Sequence, residues 1–176
     1  MQNHSIRYVM AAIIGGFISS CGAKVKEAVH VGQQAPRFTM LDDTETSRSL
    51  EQMRGAKLVL YFYPKDNTPG CTKEACSLRD GYTQLQHAGI TVWGVSYDSP
   101  AAHRKFKEKH NLPFTLLSDA DKSVSKMYGV SGWFFPSRVT FLINEAGTIV
   151  AIMNDVDVSD HAQQILTTFA QRSPCA

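Results

Sequence analysis

With 176 residues, 43% of them apolar, the chain has enough material for one domain with a proper core, and its four cysteines do not make it a disulfide-built scaffold. Its 18 basic and 16 acidic side chains leave a net charge of +2 at neutral pH, which provides no field for recruiting nucleic acid. The histidines, His4, His30, His87, His103, His110 and His161, form no short ligand motif, so neither a metal nor a cofactor site is indicated.

At the amino terminus Arg7 sits in a short polar segment, Tyr8 to Ser20 is mostly apolar or small, and Cys21 follows Ile18, Ser19 and Ser20. The pattern resembles a bacterial lipoprotein signal, in which residues 1–20 are removed and Cys21 is lipidated as the mature first residue. Ile18 and Ser20 depart from the commoner lipobox residues, and an ordinary cleaved signal or an uncleaved anchor are the alternatives. All three place the rest of the chain outside the cytoplasm, in a bacterial cell envelope and, with a lipid on Cys21, tethered to a membrane. Residues 21–32 read as a soluble tether with Lys24, Lys26 and Glu27, and residues 33–172 as the folded domain.

An apolar run from Leu58 to Tyr63 predicts a strand ending at Pro64. Asp66, Asn67, Thr68, Pro69 and Gly70 then supply turn and helix-start chemistry, with Thr68 as an N-cap worth about 1 kcal/mol. Cys71 falls in the first turn of a helix expected to run to Ala88. There, unpaired backbone N–H groups and the positive end of the macrodipole favour a thiolate. Cys76 follows five residues later, about 7.5 Å along the axis and about 140° around it. A disulfide needs Cα atoms within about 7 Å and converging Cβ vectors, so any bond between the two requires the helix to unwind.

Further strands are expected at Thr91–Tyr97, Phe114–Leu117, Val139–Asn144 and Thr148–Ile152, and helices at Pro100–His110, Lys122–Tyr128 and Ser159–Gln171. The helical crossovers imply parallel pairing, and Asn144 to Gly147 read as a hairpin turn that makes the last two strands antiparallel. The fold class is therefore α/β, a single domain with a mixed central sheet flanked by helices. Arg104, Lys105, Lys107 and Lys109 are broken up by Phe106 and Glu108, as on a solvated helix face. Residues 173–176 read as a frayed tail carrying Cys175 as an incidental thiol.

Pro64, Thr68 and Cys71 reproduce the Pro, three residues, Thr or Ser, two residues, Cys pattern of the peroxiredoxins, and the chain resembles that family from about Val31 to Phe169. Arg138, opening Arg138-Val139-Thr140-Phe141-Leu142-Ile143, is similar to the segment carrying the family's active-site arginine. Cys76 resembles the resolving residue of the bacterioferritin comigratory protein or PrxQ subfamily. The resemblance implies a thioredoxin-like fold, a thioredoxin-type dithiol donor, a monomer, and a Pro64 that shapes and shields the pocket.

The residues also suit the chemistry. A Cys71 thiolate attacking hydrogen peroxide or an organic hydroperoxide would become sulfenic acid, while Gly70 and Cys71 N–H groups, the Thr68 hydroxyl and Arg138 stabilise both oxygens. Cys76 would then condense with the sulfenic acid, and the dithiol would reduce the bridge. Outside this pattern, Arg138 reads as a surface charge, and Pro64 and Pro69 as plain turn residues. Other functions must explain the same cysteines. A thiol-disulfide reductase is expected to carry Cys-x-x-Cys, and a Sco-like metal chaperone Cys-x-x-x-Cys, whose i,i+4 sulfurs share a helix face. A membrane-tethered redox sensor fits the same residues and would differ by stoichiometric turnover.

Overall fold

The computed structural model describes residues 29–172, so residues 1–28 with Cys21 and the tail 173–176 with Cys175 lie outside it. One sheet of seven strands runs in the order β2-β1-β5-β4-β3-β6-β7. Its strands are β1 (Thr39–Asp42), β2 (Ser47–Ser49), β3 (Lys57–Phe62), β4 (Ile90–Ser96), β5 (Thr115–Ser118), β6 (Val139–Ile143) and β7 (Ile149–Met153). The helices are α1 (Pro69–Asp80), α2 (Tyr82–His87), α3 (Pro100–His110), α4 (Ser123–Met127) and α5 (His161–Arg172). Strands β3, β4 and β5 pair in parallel, while β6 runs antiparallel to both β3 and β7. This is the thioredoxin-like arrangement expected. Among the described residues no helix is long and apolar enough to cross a membrane.

Strand β3 explains the layering. Side chains alternate across a strand, and here both sets are apolar because both faces are covered. Leu58, Leu60 and Phe62 join one core with Trp93, Tyr128 and Phe141. Val59, Tyr61 and Tyr63 join the other with Leu78, Phe106, Ile165 and Phe169, contributed by α1, α3 and α5. Each large side chain fully buried in this way contributes about 1.5–3 kcal/mol.

Two elements differ from the sequence reading. The helix expected from Cys71 to Ala88 is two helices, α1 and α2, with Gly81 between them. A Cβ on Gly81 would collide with the Ala162 Cβ, so the break falls on a glycine where α5 comes close. The β1–β2 hairpin was not expected, because its sequence is mostly polar. Its turn is organised by the buried Asp42 carboxylate, which accepts from the Thr44 and Thr46 amides, the Thr44 hydroxyl and Arg48 Nε. Burial pushes this carboxyl up, but the bonds from Thr44, Arg48 and Thr46 outweigh it and hold it at about 2. The basic residues of α3 brace the same hairpin, with Arg104 donating to Asp43 O and Glu45, and Lys107 paired with Asp43.

Candidate active site

Register brings the key residues together. Phe62 at the end of β3 pairs with Val139 at the start of the antiparallel β6, so residues just after β3 and just before β6 meet at one end of the sheet. Cys71 and Arg138, 67 residues apart, become neighbours there: Arg138 Nη2 lies 3.3 Å from Cys71 Sγ. Cys71 is only 2% exposed. It occupies the third position of α1, where the Gly70 and Cys71 amides have no carbonyl one turn back to bond. The sulfur is thus buried, beside a guanidinium, at the positive end of a helix. Pro64 is half-buried beside the turn that leads to it.

Thr68 is the N-cap residue, with extended backbone, but its side chain does not cap the helix. Its hydroxyl donates to Lys65 O at 3.0 Å instead. That corrects the expected cap: the hydroxyl proton is committed to the turn, which leaves Thr68 Oγ1 lone pairs able to accept a hydrogen bond. Asn67, just before it, has φ of 60°, a left-handed conformation that Asn tolerates better than most residues.

Cys76 lies on the same intact helix, half-buried, and both cysteines are free. The five-residue spacing therefore keeps the two sulfurs on different sides of α1.

Several groups that support the site went unread in the sequence. Glu74, three residues beyond Cys71 and fully buried, pairs with Arg138 Nη1. The planar guanidinium thus presents one nitrogen to Glu74 and the other to Cys71, a division suited to Arg and not to Lys. The i,i+3 spacing was the available signal, since it puts Glu74 on the Cys71 face. Behind it, His161 Nε2 lies 3.1 Å from Thr140 Oγ1, and the His161 amide donates to Ser77 Oγ. Burial, then the charge of Arg138, lower the His161 imidazole to about 3, with Asp157 opposing. It is therefore neutral. Its Nδ1 sits 3.2 Å from Glu74 Oε1, yet neither atom has a hydrogen-bond partner, so this contact is no ion pair.

The turn carrying Pro64 and Thr68 is fixed by a second buried network. Tyr63 donates to Asp66 Oδ1 at 2.7 Å, and His103 Nδ1 lies 2.9 Å from Asp66 Oδ2. His103 Nε2 faces Leu117 O at 3.2 Å, and the Asp66 amide donates to Asp98. Tyr61 lies under the site, stacked on Tyr63, with its ring against Gly94 where a Cβ would come within 2.7 Å of it. Burial first, then Asp66 and Cys71, raise the Tyr61 hydroxyl well above its ordinary value, with Arg138 opposing. It stays a neutral phenol. No sequence motif signals either network, because each depends on partners far apart in the chain, Arg138 with Glu74 in one and Asp66 with Asp98 and His103 in the other.

Residues 31–152 match the AhpC/TSA family. The chain is 48% identical over 147 residues to a protein of Coxiella burnetii called putative peroxiredoxin bcp, covering 79% of this chain and 97% of that one. PrxQ of Xylella fastidiosa has a similar structure, with a TM-score of 0.78 and 30% identity over 82% of this chain and 98% of that one. The bacterioferritin comigratory protein of Xanthomonas campestris, with alkyl peroxide reduction activity, has a TM-score of 0.72 at 30% identity, covering 77% and 92%.

Proposed function

The chain belongs to the AhpC/TSA family and is a thiol-dependent peroxidase with a peroxide substrate and a thioredoxin-type reductant, and from that premise we propose that Cys71 is the peroxidatic thiolate and Cys76 its resolving partner. The observation that carries the reading is the 3.3 Å contact of Arg138 Nη2 with a buried sulfur at a helix start. A cation in that position favours the thiolate and opposes a bound metal ion, which is why the Sco-like alternative fits less well.

Cys71 attacks the terminal oxygen of a hydroperoxide. An S–O bond forms, the O–O bond breaks, and the electron pair leaves with the distal oxygen, which takes up a proton to become water or an alcohol. Charge moves from sulfur to the departing oxygen. Arg138 and the Gly70 and Cys71 amides can follow that charge, while Thr68 Oγ1 orients the substrate by accepting a hydrogen bond from its O–H. Glu74 fixes the guanidinium and offsets part of its charge. The Cys76 thiol then condenses with the sulfenic acid, releasing water and forming a disulfide, and the dithiol exchanges that bond back to two thiols. Alkyl hydroperoxides are substrates by extension from the Xanthomonas campestris relative.

Lipidation at Cys21, an extracytoplasmic location and a monomeric state complete the proposal, supported by the Arg7, apolar run and Cys21 pattern and by the subfamily resemblance. The test is peptide mapping of the reduced protein after one equivalent of hydrogen peroxide. A Cys71–Cys76 bridge reversed by dithiol is expected. Cys71→Ser should consume no peroxide, whereas Cys76→Ser should oxidise once and stall. Continued turnover of Cys76→Ser with the dithiol alone removes its assigned role.

A further inference from the structure

Residues 131–136, between α4 and Arg138, present three consecutive aromatic side chains to solvent: Trp133 is 84% exposed, Phe134 72% and Phe135 48%. Their rings contact one another and not a core, with centroids 6.4 Å apart in both successive pairs. The backbone beneath them is fixed. Ser137 N–H donates to Val130 O at 2.8 Å and closes the loop, and Lys122 Nζ donates to Trp133 O at 2.7 Å. Gly132 lies against the Phe135 carbonyl with no room for a Cβ, and Pro136 is buried. A braced loop holding large apolar rings in water is an interaction surface, not a frayed connection.

Two further observations say what covers it. A cation borders the rings, with Lys65 Nζ 6.0 Å from the Phe135 ring centroid, and a second, Lys122, sits at the loop backbone on Trp133 O and over the Tyr97 ring. Trp and Phe beside Lys is the composition that settles at a phospholipid surface, with the rings at headgroup depth and the ammonium groups on anionic heads. The chain's own entry point lies on the same side. Val29, the first described residue, lines one cavity with Val130 and Ser137, the two ends of the aromatic loop. Cys21 is only eight residues upstream of Val29, a reach of at most about 28 Å.

We propose that the Trp133-Phe134-Phe135 loop docks on an anionic phospholipid bilayer and turns the mouth of the active site, whose Lys65 turn touches Phe135, toward the membrane surface. The side of the fold that faces the membrane rests on the lipidation of Cys21, whereas the affinity of the loop for lipid does not.

The chain's two tryptophans make a direct test, because Trp93 is 4% exposed in the core and Trp133 is outside. The full chain, processed in a bacterial host, would be placed on phosphatidylethanolamine and phosphatidylglycerol vesicles with brominated acyl chains, and its intact mass measured. Trp133 emission should shift to the blue and be quenched by the brominated chains, and Trp133→Phe should show no quenching. Phe134→Glu should reduce the quenching at least about threefold while hydrogen peroxide turnover continues. A lipidated protein with unquenched Trp133 overturns the docking and leaves the anchor. An unlipidated product that is still quenched supports the docking and removes the anchor. A blue shift insensitive to bromination, with two copies cross-linked through the loop, overturns the proposal in favour of a dimer interface.

Discussion

Replacing Arg138 tests the catalytic reading most severely. With Nη2 3.3 Å from Cys71 Sγ, the gross attraction at an effective dielectric constant of 20 is about 5 kcal/mol. Glu74 on the other arm of the guanidinium cancels part of it, and only the difference between thiolate and transition state enters the rate of attack. Removing one preorganised donor of this kind slows a reaction about 10²–10³-fold. Arg138→Met should therefore slow sulfenic acid formation by about that factor, measured by rapid quench of Cys76→Ser protein with hydrogen peroxide. The same change strands Glu74 as a buried carboxylate, costing about 3–5 kcal/mol of stability. Arg138→Met/Glu74→Gln separates the two effects: it should recover the melting temperature and not the rate. Arg138→Lys should fall about tenfold short, since one ammonium cannot face both partners. An Arg138→Met rate within twofold of the parent would refute the assignment.

The His161 imidazole, at about 3 in the folded protein, is lowered from an ordinary 6.5. The unfolded chain then binds the proton first, so its stabilising contribution is full above pH 6.5 and is lost as pH falls toward 3. His161→Asn should flatten the melting temperature over that window, and an unchanged slope would show that another group titrates there. Thr68→Val should lower the oxidation rate and cost about 0.5–1.5 kcal/mol in urea unfolding, the worth of the bond its hydroxyl gives Lys65 O; an unchanged oxidation rate would remove Thr68 from substrate binding. Gly94→Ala would place a methyl 2.7 Å from the Tyr61 ring and 2.8 Å from Leu116 Cδ2, and should cost about 1–3 kcal/mol in the same assay.

The strands around the site were legible because β3, β4 and β6 are apolar on both faces and bounded by turn residues. Cys71 and Arg138 were legible through the pattern around each, but their contact was not: it depends on β6 running antiparallel to β3 in one register. The β1–β2 hairpin escaped because a single carboxylate, Asp42, organises a polar segment, and periodicity does not record a hydrogen-bond hub. The break at Gly81 was also missed. Glycine's low helix propensity was the local signal, and the close approach of Ala162, 81 residues away, is what requires glycine there. Thr68 shows the converse, a residue whose place was read correctly and whose bonding was not, since a hydroxyl at an N-cap has more than one carbonyl or amide within reach.

The proposed second step makes a demand on α1 that the structure also bears on. The end of that helix is pinned: Leu78 is fully buried, Ser77 Oγ accepts the His161 amide, and Arg79 donates to His110 O. Its start is held through Arg138, which grips both Cys71 and Glu74. Unwinding to bring Cys71 and Cys76 together must therefore open the first turns and leave the last in place. Oxidation weakens that hold, because a neutral sulfenic acid replaces an anion in a charge-assisted contact worth about 1.5–3 kcal/mol. The chemical step would thus loosen the turn that the next step has to open. In Cys76→Ser, amide hydrogen exchange across Thr72–Asp80, whose N–H groups bond to carbonyls of residues 68–76, should be faster in the sulfenic state than in the thiolate state, while Gly81 and Leu85, bonded to Ser77 O and Gly81 O, stay protected in both. Equal protection of Thr72–Asp80 in the two states would mean that Arg138 is not what holds the helix closed.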